Sequence, residues 1–257
     1  MSVLELPEPS GWRGGRTFLV VAVVLSFAVA VAFAYLGVAA ATRGNYLTTA
    51  VTFGWAIFLL IFLAAISLVG LGRTTLQTTS DATGFTVWPD RRFSILMLAG
   101  VVVFIPSGLI FTVFAPFGAI EIANTRILQA ILPVAAGFAV CMGITGLIAA
   151  WRRGGVGHVK LTPAMIENAD ILTTRVFEWD DVVDVADRAE SRKARRAVVL
   201  RMRDGREEII SVADIYVPRG VALYWLVRHY WKHPDDRMEL VDTRATERFR
   251  EGRFALD

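Results

Sequence analysis

An α-helical transmembrane bundle of four spans, followed by a small cytoplasmic β-rich domain with a C-terminal helix, is the fold class this sequence predicts. Three observations lead to it. Four apolar runs of about 25 residues each contain no Asp, Glu, Lys, Arg or His, and each is long enough to cross ~30 Å of hydrocarbon. The last run stops abruptly at Trp151-Arg152-Arg153-Gly154-Gly155. From His158 onward apolar residues alternate with polar ones, which is the period of a half-buried strand.

The 1–16 tail is short and contains two prolines, and it reads as disordered and cytoplasmic. Arg13 and Arg16 precede the first span, 17–41. A secretory signal competes here, because Ala39-Ala40-Ala41 resembles a cleavage site. The run exceeds the ~7–15 residues of a signal h-region, and three further spans follow it. Only Arg43 lies in the short loop before the second span, 47–71, which holds Trp55 and several Phe.

Residues 72–92 are polar. Thr75 to Thr79 and Phe85 to Trp88 are β-prone, with the turn-like Ser80-Asp81-Ala82-Thr83-Gly84 between them. An isolated hairpin is marginal in water. This segment therefore either docks on the cytoplasmic domain or is a mobile loop. The third span, 93–116, contains Pro106 beside Ser107, a hydroxyl that can satisfy a freed carbonyl. The fourth, 127–150, contains Pro133 and the small residues Gly137, Gly143 and Gly146, which permit close packing against a neighbour or a homo-oligomer face.

Arginine fixes the expected orientation. Arg13, Arg16, Arg73, Arg91, Arg92, Arg152 and Arg153 flank one side of the bundle, and Arg43 and Arg126 the other. The richer side faces the cytoplasm, as it does for both termini of a four-span chain. Arg13, Arg16, Trp151, Arg152 and Arg153 are the expected membrane-boundary anchors, since Trp suits the headgroup region.

The 54% apolar content and mean hydropathy of +0.50 exceed those of an ordinary soluble domain. Residues 1–150 hold seven Arg and five acids, and 151–257 hold twenty Arg plus Lys and nineteen acids. Both parts are nearly neutral, so the pI of 9.3 does not argue for nucleic acid binding. Arg outnumbers Lys 24 to 3, which hints at a GC-rich bacterial genome and so at the inner membrane. The single cysteine, Cys141, lies inside a span and allows no intrachain disulfide.

Beyond the hinge, strands are expected at His158–Leu161, Met165–Glu167, Ile171–Phe177, Val183–Ala186, Ala197–Arg203 and Arg206–Ser211. Asp204-Gly205 is the tight turn of the last pair. A helix follows from Gly220 to His233, with Leu223, Leu226, Val227, Tyr230 and Trp231 at helical spacing. The residues Leu161-Thr162-Pro163, Glu178 to Val185, Leu200 to Arg206, and the helix ending at His233-Pro234 give 155–240 a pattern that resembles bacterial pleckstrin-homology-like domains of small membrane proteins. That resemblance implies a domain of short antiparallel strands closed by a helix, acting as an interaction or membrane-proximal module. It brings no catalytic residues. The 241–257 tail has alternating charges and reads as a short helix or disorder.

No catalytic, cofactor-binding or metal constellation is evident. Asp180, Asp181, Asp184 and Asp187 match no calcium-loop spacing, and His229 and His233 lack an evident third ligand. Arg192, Lys193, Arg195 and Arg196 either form a solvated loop, their charge offset by Asp187, Glu190 and other nearby acids, or contact anionic lipid, at ~1 kcal/mol per basic residue near the surface. Tyr224 and Trp225 are candidate partner contacts, and Trp179 after a strand is most simply a core anchor, with partner contact as its alternative. The function expected is non-enzymatic: a bilayer-embedded protein whose cytoplasmic domain scaffolds or regulates an envelope-associated complex through a protein partner. The alternative is a small channel or transporter gated by that domain.

Overall fold

The computed structural model describes residues 6–12, 16–122, 126–191 and 194–254. They fall into two units: residues 16–67 with 95–152, and residues 1–15 with 68–94 and 153–257.

The first unit is built from four helices, α1 (Arg16–Thr42), α2 (Tyr46–Gly70), α3 (Arg91–Phe114) and α4 (Arg126–Arg153). All four are long and apolar enough to cross a membrane, making this a multi-pass membrane protein. Large apolar side chains such as Val24, Phe27, Val134 and Phe138 are more than half exposed on the unit's outside, where lipid takes the place that water cannot. Small residues set the helix approaches. A Cβ on Gly54 of α2 would lie 2.4 Å from Ser107 Cβ of α3, and one on Gly108 of α3 would lie 2.6 Å from Val140 of α4. A Cβ on Gly137 or Gly143 of α4 would lie 3.1 Å from Thr112 or 3.2 Å from Val101 of α3. Pro106 frees the carbonyl of Val102, but the Ser107 hydroxyl donates to Phe104 (2.9 Å) and Val103 (3.3 Å) instead.

The α1–α2 and α3–α4 loops are clasped together. Arg43 pairs with Glu121 at 2.5 Å. The Asn45 amide donates to Glu121 and to the Ala119 carbonyl, and Glu121 N–H donates to the Thr48 hydroxyl at 3.1 Å.

The second unit contains two antiparallel sheets. The larger has the order β1 (Gln77–Asp81), β2 (Gly84–Trp88), β3 (His158–Leu161), β4 (Met165–Ala169) and β5 (Thr174–Glu178). The smaller has the order β6 (Val182–Ala186), β7 (Val198–Met202) and β8 (Glu207–Ile210). The hairpin between α2 and α3 is therefore not a free loop: Phe85, Thr86 and Val87 pair with Leu161, Lys160 and Val159 of β3. Burial explains the docking, since Phe85 and Val87 are fully inside. Gly157 is needed where β3 begins, because its φ is +142° and a Cβ there would sit 2.4 Å from the Ala169 carbonyl oxygen.

Between the sheets lies one core that includes Phe85, Leu161, Ile166, Trp179, Leu200 and Ile210. The helix α5 (Val221–Lys232) supplies Leu223, Leu226, Val227 and Tyr230 to it. The segment from 241, read from sequence as a charged tail that is a short helix or disordered, contributes Ala245, Phe249 and Phe254 to the same core. A 3-10 stretch (Pro234–Val241) leads into α6 (Thr243–Glu251), which is capped by Asp242 accepting from Arg244 N–H at 2.8 Å. Phe249 of α6 is fully buried and meets Phe85 edge-on at 5.5 Å. A bidentate Arg248–Glu239 pair, both bonds 2.7 Å, holds α6 to the 3-10 stretch. Residues 6–12, expected to be disordered, also pack here, because Leu6 and Trp12 are apolar anchors only 7% and 5% exposed.

Candidate docking surface

A sheet presents unpaired N–H and C=O groups along each outer strand, and native proteins usually cover them. Two of the four outer edges in the second unit are covered. Along β6, the Trp231 indole donates to the Val182 carbonyl at 2.9 Å and Arg228 to the Val185 carbonyl at 3.2 Å. Along β1, α6 and the 3-10 stretch lie alongside, and the Ser80 hydroxyl donates to the Asp242 carbonyl at 2.7 Å.

The other two edges, β5 and β8, pair with no further strand among the described residues. They flank a cleft of about 970 Å³ lined by β5, Asp181 and the β7–β8 hairpin. Val176 of β5 is 51% exposed, and Thr174, Arg175 and Glu178 are exposed too. Across the mouth Arg175 pairs with Glu208 at 2.8 Å. Side chains rather than backbone thus span this gap. Arg206 folds onto Asp204 at 2.6 Å and holds that carboxyl below its usual pKa. Arg203 donates to the Asp180 carbonyl at 2.9 Å. Val176, Phe177 and Met202 give the cleft an apolar part between these charges. The arrangement offers backbone hydrogen bonds and mixed charge, which suits an extended polypeptide.

Comparison of the chain with protein-family models, curated proteins and solved structures finds no match.

The residues singled out from sequence fall in several places. Arg192, Lys193 and Arg13 lie outside the described residues. Arg195 and Arg196 both reach the buried Asp214 carboxylate at 3.5 Å, and Arg196 also meets Glu8 at 3.4 Å. Burial raises the Asp214 pKa, against the two arginines. Trp179 is 1% exposed, donates to the Thr162 carbonyl at 2.8 Å and lies under Arg237. Tyr224 and Trp225 are 6% and 8% exposed. Trp179 is taken up by the core, whereas Tyr224 and Trp225 are covered by residues 6–12, through the Trp12 ring and the Pro7 carbonyl. Arg16 begins α1; Trp151 and Arg152 are exposed at the end of α4. Arg153 donates to the carbonyls of Asp170 and Leu172 at 2.7 and 3.1 Å, closing the turn between β4 and β5.

The aspartates disperse. Asp184 meets Arg201 at 3.5 Å, and Asp187 accepts from Gly11 N–H at 2.7 Å. Among the described residues no three His, Cys, Asp or Glu side chains converge as a metal site. His229 is instead inside a polar cluster with Asp236 (3.1 Å) and the ring of His233 (4.8 Å). Burial, Arg248 and His233 lower its pKa, against Asp236.

Two buried carboxylates escaped sequence reading. Asp214 is one, and Asp90 is the other. Asp90 accepts from Thr75 N–H and Thr75 Oγ1, both at 2.6 Å, and from Phe93 N–H at 2.9 Å. Its own N–H donates to the Ile215 carbonyl at 2.9 Å. Burial alone would raise its pKa, but the Thr75, Phe93 and Arg92 hydrogen bonds outweigh that and lower it. A Pro-Asp pair before an apolar run was the available signal, as an N-cap.

Proposed function

We propose that this protein is a non-enzymatic, multi-pass protein of a bacterial inner membrane that docks an extended segment of a protein partner on β5, and so scaffolds or regulates an envelope-associated complex. The single observation that carries this reading is the open β5 edge. Among the described residues it pairs with no further strand and is exposed beside a cleft, whereas β1 and β6 are covered. Strand addition to such an edge draws affinity from main-chain hydrogen bonds and specificity from side-chain pockets. The Arg175–Glu208 pair is an obstacle of little weight, since exposed ion pairs contribute only about 0–1 kcal/mol.

Placement of both termini and the β unit in the cytoplasm is supported by the distribution of arginines around the spans. The pleckstrin-homology-like reading is supported by the order of antiparallel strands followed by α5. The lining of the β5 cleft holds no Ser, Thr, Cys, His or Lys side chain, and the Thr75 hydroxyl that meets Asp90 does so where that carboxylate also caps α3, which favours docking over catalysis.

A photo-crosslinking side chain at Val176, in the full-length protein in native membranes, tests the reading. Val183 on β6 is a matched control, being 50% exposed. A discrete adduct from Val176 and not from Val183 is the expected result. No adduct from Val176, or the same adduct from both positions, overturns the edge as the docking surface.

A further inference from the structure

Residues 6–12 lie on the β unit as a bound peptide would. Leu6, Pro9 and Trp12 are buried, while Pro7, Glu8 and Ser10 between them are exposed. Burial at every third residue is the period of polyproline II, not of an α-helix or a strand. Here it runs into a 3-10 turn at Ser10–Trp12.

The surface that receives this segment is aromatic at one end and polar at the other. Trp12 packs edge-on against Tyr224 of α5 at 5.9 Å. The Trp225 indole donates to the Pro7 carbonyl at 2.9 Å. Grooves walled by aromatic rings are how proline-containing extended segments are recognised. Beyond them, Asp187 reads the segment three times. Its carboxylate accepts from Gly11 N–H at 2.7 Å and from the Ser10 hydroxyl at 3.4 Å, and its carbonyl accepts from Trp12 Nε1 at 2.9 Å. Glu8 pairs with Arg196 at 3.4 Å. A Cβ on Gly11 would lie 2.7 Å from Asp187 Oδ1, so a larger residue there would push the Asp187 carboxylate away from the Gly11 N–H. Three apolar plugs, one indole-to-carbonyl bond, a close glycine approach and an acid–base pair together specify a ligand.

We propose that this groove on α5 and the loop after β6 is a peptide site for segments of the pattern Leu-x-x-Pro-x-Gly-Trp, filled in cis by the chain's own residues 6–12, and that a partner protein carrying such a segment binds in trans by displacing them. The site is separate from the β5 edge and stands whether or not a strand docks there. Covalent connection gives the cis segment an effective concentration on the order of millimolar. The groove is therefore closed to weak ligands and opens to a partner that matches the pattern or is itself held nearby.

The test uses full-length protein in lipid nanodiscs and a fluorescent peptide of residues 6–12, with binding read by anisotropy. Trp12→Ala in the protein removes a plug from the cis segment. Gly11→Ala loosens the same segment through Asp187 and keeps the tryptophan. Both variants are expected to bind the peptide at least ~10-fold more tightly than wild type does, as the cis competitor weakens. A peptide carrying Trp12→Ala is expected to lose that binding. Trp225→Phe added to Gly11→Ala is expected to weaken it, because the donor to the Pro7 carbonyl is gone. Equal affinity of wild type and Gly11→Ala, or equal binding of the peptide with and without its tryptophan, overturns the proposal.

Discussion

Replacing Asp90 by alanine is expected to loosen the second unit by several kcal/mol. The carboxylate is fully buried and takes three hydrogen bonds, two from Thr75 and one from Phe93. The Phe93 bond is an N-cap, and losing a cap costs about 1 kcal/mol. Hydrogen bonds to a charged group contribute about 1.5–3 kcal/mol each. The two Thr75 bonds share one oxygen, so their losses do not add in full. About 3–5 kcal/mol is the resulting estimate for Asp90→Ala. At about 2–4 °C per kcal/mol for a body of this size, the midpoint falls by roughly 6–20 °C. Asp90→Asn keeps one carbonyl for the Phe93 N–H and loses part of the Thr75 pairing, so it should fall between the two.

Thermal unfolding of the full-length protein in detergent, followed by tryptophan fluorescence, measures this. The pH dependence supplies a second reading. Asp90 has a lowered folded pKa, so its contribution is present above the unfolded value of about 3.9 and is lost as pH falls through the folded value. Wild type should therefore lose stability at acid pH more steeply than Asp90→Asn. A midpoint change below 2 °C for Asp90→Ala, or identical acid limbs, would refute the idea that this carboxylate ties the hairpin to the start of α3.

Phe249→Ala should destabilise the second unit by about 3–5 kcal/mol in denaturant titration, as a fully buried ring against Phe85 is lost; a near-neutral effect would mean that α6 is dispensable. Gly54→Val should disrupt α2–α3 packing by about 1–3 kcal/mol, because a Cβ already meets Ser107 at 2.4 Å, and detergent-unfolding assays would show it. Lowering the pH from 7 to 5.5 should reduce the melting midpoint. His229 has a depressed folded pKa, so below about 6.5 the unfolded chain takes up the proton first. His229→Gln should flatten that slope, and an unchanged slope would exclude this histidine as its source.

The sequence by itself determined the bundle and much of the strand pattern. Four uncharged runs can be stable only as membrane helices, since nothing else satisfies the backbone in lipid at that length. The alternation from His158 to Leu161 and the Asp204-Gly205 turn are local signals, and β3, β7 and β8 stand where those signals lie. What covers each edge is not local. Only the tertiary structure pairs Phe85–Val87 with β3, though these residues are separated from it by two membrane helices. It alone lays α6 along β1, turns Tyr224 and Trp225 inward, and puts Asp187 against Gly11 across 176 positions. Charge runs such as Arg195-Arg196 were legible as charge, but the buried Asp214 that they neutralise was not. The reason is that periodicity reports which side of an element is apolar, while the partner that buries or hydrogen-bonds that side comes from a distant stretch with no mark of its own.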